Sequence, residues 1–289
     1  MHKPSVQHLI RLLDDPDEEI FLSVNREIRE LGPAVIPELE KSVRRAGNKL
    51  LHERIEELIK ILTFDELSSD MISWVSSPRQ DLLTGITIMT RCQFHDMTAE
   101  KMACLLKPIR NEIWLELNEQ LTALEKILVI NRLLFRDDRF TLYQDHQESP
   151  GHNFINRLLT TYKGNEFSIT LFYAWLCQDL GLPVFAVSLP NLPVLAYLDI
   201  PLMPEHSFNP ALFDTLFYLV PVLEGGAFSQ EQMTEYLIRN TIPIEASFYM
   251  PVGNTTLIRM CMERLADDYE RSDNREQAAR VRKLMKLCK

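Results

Sequence analysis

Glycine is scarce, with 9 residues in a chain of 289. So few glycines beside abundant Leu, Glu and Arg point to a mainly helical protein. A basic surplus is missing too. The formal net charge is −10, which argues against nucleic-acid binding as the main role, because phosphate contacts need a basic surface. No apolar run approaches the about 20 residues of a membrane span. Met1-His2-Lys3-Pro4 leads into a charged amphipathic segment rather than an apolar signal. The five cysteines, Cys92, Cys104, Cys177, Cys261 and Cys288, are odd in number and scattered, giving neither a disulfide framework nor a zinc spacing. The expectation is a cytoplasmic chain with no cofactor, no metal, no nucleic acid and no membrane contact. What remains is ordinary globular composition, 46% hydrophobic and 25% charged, long enough for two or three structural units.

Hydrophobic spacing divides the chain. Residues 1–63 read as short helices. Val6, Leu9, Ile10 and Leu13 repeat at helical spacing, and Asp14-Asp15-Pro16-Asp17 ends one helix and opens the next. Three more follow, through Leu31, towards Gly47 and through Leu62. From about residue 65 to residue 137 further helices are expected at Leu82–Cys92, Ala99–Leu117 and Leu121–Phe135, then a polar loop from Arg136 to His152. Strand-like runs are expected only later, at 184–187, 194–198 and 216–220. Gly225-Gly226 is read as the end of the sheet region, and Ser229-Gln230-Glu231-Gln232 as a capping box opening a helix. Residues 254–289 give two amphipathic helices around Ser272-Asp273-Asn274. The fold class expected is α+β, mainly helical, with a small antiparallel sheet.

One segment carries most of the information. Tyr162-Lys163-Gly164-Asn165-Glu166-Phe167-Ser168-Ile169-Thr170-Leu171-Phe172-Tyr173 reads as a glycine turn and a buried helix starting near Ser168. Leu180-Gly181-Leu182-Pro183-Val184 then turns into a strand. Upstream stand Asn153-Phe154-Ile155-Asn156-Arg157-Leu158-Leu159. With the upstream helices, the Gly-Gly turn and the helical tail, this order resembles a bacterial transglutaminase-like family of the invasion-regulator B type, with a papain-like core and a tetratricopeptide-type tail. The resemblance covers roughly residues 65–289. It implies a domain at 64–245, with a helical part at 64–137 and a helix-plus-sheet part at 150–245, and a tetratricopeptide-like hairpin at 246–289. Glu30-Leu31-Gly32-Pro33-Ala34-Val35-Ile36-Pro37-Glu38-Leu39 is similar to the helix junction of HEAT repeats, which marks 1–63 as HEAT-like.

A working member of that superfamily uses a cysteine thiolate at a helix N-terminus, a histidine proton shuttle and an orienting acid or amide. The resemblance puts the nucleophile on or near Ser168, with Asn165 and Glu166 as other registers. It puts the histidine at Leu192 and the acid at Pro221, or at Val220. A serine without a base is a poor nucleophile, and leucine moves no proton. The inherited triad is therefore expected to be inactive, in a non-catalytic module that meets a protein partner. The alternative is an amide hydrolase or transferase pairing Ser168 with His206. Asn165, Ser168, Tyr173 and His206 are the residues of a possible remnant groove.

Other candidates are weaker. Cys177 lies nine positions after Ser168, on the opposite side of the helix, and is expected to be a buried structural thiol. His152 with Asp145 and His146 has metal-ligand residue types without a ligand spacing. Phe167, Phe172, Tyr173, Trp175, Phe185 and Tyr197 are expected to be mostly core.

Overall fold

The computed structural model describes residues 6–43, 49–143, 149–189, 192–200 and 209–288. They fall into two compact units, residues 1–70 and 71–289. Among the described residues no helix is long and apolar enough to cross a membrane.

The first unit is helical. Helix α1 (Val6–Leu12) is followed by α2 (Glu18–Leu31), whose N-cap Asp17 accepts from the Glu19 amide at 2.9 Å. Helix α2 stops at Gly32, which has φ 71°, and α3 (Ile36–Val43) follows. Leu13, Val24, Ile28, Leu39, Ile55, Leu58 and Leu62 form its core. The Arg54 guanidinium donates to the carbonyls of Leu13 and Asp15 at 2.7 and 2.9 Å and lies over the Phe21 ring. One arginine thus fixes the turn between α1 and α2. Helix α4 (Lys49–Val75) is unbroken, so the boundary expected at residue 63 falls inside it. The reason is visible in the chain: Leu67, Met71 and Trp74 continue the buried spacing without a breaker.

In the second unit, α5 (Leu82–Arg91), α6 (Ala99–Glu116) and α7 (Ala123–Phe135) start on the caps Asp81, Thr98 and Thr122. The expected loop after α7 contains β1 (Thr141–Leu142), which pairs in parallel with β2 (Lys163–Gly164). These two strands stand outside the sheet region where all strands were expected. Two-residue strands carry no alternation to read. Helix α8 (Ile155–Thr161) ends on Tyr162, whose φ of 58° makes the turn. The turn expected of Gly164 therefore belongs to Tyr162.

Helix α9 (Glu166–Asp179) follows, buried almost throughout: every residue from Phe167 to Cys177 is inside. A helix apolar all round has to sit at the centre of its unit. It leads to β3 (Val184–Val187), β4 (Val194–Leu198), β5 (Thr215–Val220) and β6 (Gly226–Phe228). Then come α10 (Gln230–Arg239), β7 (Pro251–Val252), α11 (Asn254–Arg271) and α12 (Arg275–Met285).

The sheet is antiparallel, in the order β6-β5-β4-β3-β7. It is wider than the three strands expected, because the chain continues past Gly225 into β6 and returns as β7. Its two faces are distinct. Phe185, Val187, Val194, Ala196, Tyr218 and Val220 pack with Met233 and Leu237 of α10. The alternate positions Val184, Ala186, Leu195 and Tyr197 point to the other face, towards α9. Helix α11 packs on α5, α9 and β3 as well as on α12, so the tail hairpin is part of the core of this unit. The protein is mainly helical, with a small antiparallel sheet.

Candidate functional site

The N-terminus of α9 is closed by its own side chains. Asn165 is the N-cap and Ser168 the third residue of the helix. Asn165 Oδ1 accepts from the Ser168 amide at 2.8 Å, and Ser168 Oγ accepts from the Asn165 amide at 3.0 Å. That is a capping box. The Ser168 hydroxyl also reaches the Asn165 carbonyl at 3.2 Å as donor. Its proton and one of its two lone pairs are engaged by backbone, and the residue is 1% exposed.

The cover comes from β2. A Cβ built on Gly164 would run into Ser168 Oγ and meet Leu158 Cδ1 at 2.9 Å and Ile169 Cγ1 at 3.3 Å. Only glycine lets the strand lie so close. The Tyr143 amide donates to the Gly164 carbonyl at 3.0 Å, and the Tyr143 ring stacks on His152 with centroids 3.4 Å apart. Burial holds His152 below the usual histidine range; Arg157 acts in the same direction and Asp268 against it.

Beneath the cap a polar chain runs into the tail. Asn165 Nδ2 donates to Asn153 Oδ1 at 2.8 Å, and Asn153 Nδ2 donates to Asp268 Oδ2 at 2.7 Å. Arg264 Nε reaches Asp268 Oδ1 at 3.0 Å, and Arg271 Nη1 reaches it at 3.5 Å. Asn153 and Asp268 are each 1% exposed. Further along α9, the Tyr173 hydroxyl donates to Asn131 Oδ1 at 2.7 Å, and Asn131 Nδ2 donates to the Gly225 carbonyl at 2.8 Å. Burial raises the Tyr173 phenol well above its ordinary value.

A family model described as the Transglutaminase-like superfamily matches residues 100–281, well over half of the chain. The chain belongs to the transglutaminase-like superfamily. Comparisons with curated proteins and with solved structures gave no match.

Within this transglutaminase-like domain the three positions assigned to the triad do not share one set of contacts. Ser168 lies in the cap of α9. Pro221 is buried and opens the 3-10 turn Pro221–Leu223, which packs on α9. Leu192 packs with the cluster on the α10 face of the sheet, away from α9. Val220, the other position for the acid, belongs to that same cluster.

Of the remnant-groove residues, Asn165 and Tyr173 are buried at the cap and mid-helix, 8% and 0% exposed. His206 lies outside the described residues, as do Asp145 and His146. Cys177 is fully buried, and desolvation pushes its thiol far up, which removes it as a nucleophile. The six aromatic side chains expected in the core are all buried. Among the described residues no group of three His, Cys, Asp or Glu is placed to hold a metal ion.

Asn131 and Asp268 were not singled out from the sequence, and Asn153 and Gly164 were quoted there without the contacts they make. Asp268 left a trace: an acid three residues after Leu265, on the face that carries Cys261, Leu265 and Tyr269. A carboxylate in that position needs buried partners. The others are common residue types whose partners lie far away in the chain.

Proposed function

We propose that this chain is a non-catalytic member of the transglutaminase-like superfamily, a protein-interaction or regulatory module. The single observation that carries the reading is the state of Ser168. The residue at the nucleophile position serves as the third residue of a capping box, with its hydroxyl satisfied by backbone and shielded by Gly164. For chemistry, Ser168 has to leave the cap, lose its cover and find a base. Leu192 and Pro221 supply neither a base nor an acid.

The finer placing follows the same line: a degenerate member of the bacterial invasion-regulator B type, with a papain-like core, HEAT-like N-terminal helices and a tetratricopeptide-type tail, acting in the cytoplasm. The order of elements from α5 to α12 supports it. In the N-terminal unit, the cleft lined by Glu40, Val43, Glu56, Ile59 and Lys60, between α3 and α4, offers a mixed charged and apolar surface for a protein partner.

The test is turnover with purified protein on glutamine-containing peptides, following ammonia release and amine incorporation. No activity above background is expected, and Ser168→Ala should leave the cellular role intact. A reproducible activity that Ser168→Ala abolishes would overturn the proposal in favour of the Ser168/His206 alternative.

A further inference from the structure

The cap of α9 ends on a charge from the opposite end of the domain. Asn165 must present Oδ1 to the Ser168 amide, so its Nδ2 faces away and has to donate. It donates to Asn153 Oδ1, which leaves the Asn153 Nδ2 to donate in turn, and Asp268 on α11 accepts it at 2.7 Å across 115 positions of chain. Two amides in series have one satisfied orientation, and it terminates in an acceptor. An ionised carboxylate fits that end. Arg264 and Arg271 on the same helix supply its counter-charge. All three members of the relay are buried, so none of these bonds has water as a ready substitute.

We propose that the C-terminal hairpin is a latch on the first turn of α9, with Asp268 as its catch: α11 and the Ser168 end of α9 open together. The Ser168 end is thereby under control of the tail, and an event that lifts α11 takes away the acceptor at the end of the relay and loosens the cap beneath the cover of β2. This holds whether or not Ser168 performs chemistry, so it stands apart from the reading of the site as inactive.

The test is hydrogen exchange on the full chain, comparing wild type with Asp268→Asn. The peptides to follow cover residues 163–171 and 254–271, with 228–234, the capping box of α10, as control. Asparagine keeps the shape at 268, removes the charge and turns one acceptor oxygen into a donor, so its single remaining oxygen cannot serve both Asn153 and the two arginines. Exchange is expected to rise at least about tenfold in both α9 and α11 while the control peptide keeps its wild-type rate. Faster exchange in α11 alone, or an equal rise in all three peptides, overturns the latch. Should the variant not fold, wild-type exchange in low urea decides the matter. The α9 and α11 peptides should share one dependence on denaturant, distinct from the control, and separate dependences overturn the proposal.

Discussion

Asn165 and Ser168 satisfy each other's backbone amide at the start of α9, at 2.8 and 3.0 Å. This exchange gives Ser168, which the family resemblance places on or near the nucleophile position, a structural task. A serine nucleophile gives its proton to a base as it attacks, whereas the Ser168 proton is directed to the Asn165 carbonyl and one of its lone pairs accepts from the Asn165 amide. Attack with the proton leaving to a base requires the bond to the Asn165 carbonyl to break.

The close approach of β2 to that oxygen gives a packing prediction. Gly164→Ala puts a methyl group against Ser168 Oγ and Leu158, and is expected to cost about 1–3 kcal/mol as overpacking. Ser168→Ala alone costs about 1 kcal/mol through the hydrogen bond lost from the Asn165 amide. In the double variant the methyl gains the space the hydroxyl vacated, so its cost falls below the sum of the two. Urea unfolding of the four proteins checks this, and strict additivity would show that Gly164 does not press on Ser168.

The Tyr173–Asn131–Gly225 chain gives a second prediction. Asn131→Ala strands a buried phenol and a carbonyl, at a cost of about 1–3 kcal/mol. Adding Tyr173→Phe to that variant removes the stranded hydroxyl and should recover part of the loss. Thermal or urea midpoints read the outcome. No recovery would mean that the Tyr173 hydroxyl finds another partner once Asn131 is gone.

Thiol chemistry gives the third. Cys104 is exposed, while Cys92, Cys177, Cys261 and Cys288 are buried. Burial pushes Cys92 up to about 12 and Cys288 to about 11, and shifts Cys177 and Cys261 in the same direction. The folded chain therefore holds these protons more tightly than the unfolded chain. The stability they contribute is complete below the ordinary thiol value of 9.0 and is lost as pH rises from there towards about 12. The urea midpoint should fall between pH 9 and pH 11, and at pH 8 a thiol reagent should label Cys104 well ahead of the rest. A flat midpoint, or rapid labelling of Cys177, contradicts this arrangement.

Much of the scaffold was legible in local pattern. Val184–Val187 and Val194–Leu198 read as strands and form β3 and β4. The Ser229 capping box opens α10. Asn254–Arg271 and Arg275–Met285 flank the turn expected at Ser272-Asp273-Asn274. Each of these signals lies within one element, where periodicity and capping chemistry act over a few residues. The short strands β1, β2, β6 and β7 were missed because pairing with distant partners creates them, and two or three residues hold no period.

The sequence by itself determined that a buried helix follows Gly164, and it set the residue types the family resemblance assigns to the triad: serine on or near 168, leucine at 192, and proline at 221 or valine at 220. Those facts are written in residue types. Only the tertiary structure decided what the replacements do. It turned Ser168 into a cap, carried Leu192 to the far face of the sheet, and brought Asp268 from the tail to the end of a relay starting at Asn165. The physical reason is range. Helix and strand patterns are set by neighbours three or four positions away, whereas a buried hydrogen-bond network is set by which distant segments the packed core brings within 3 Å.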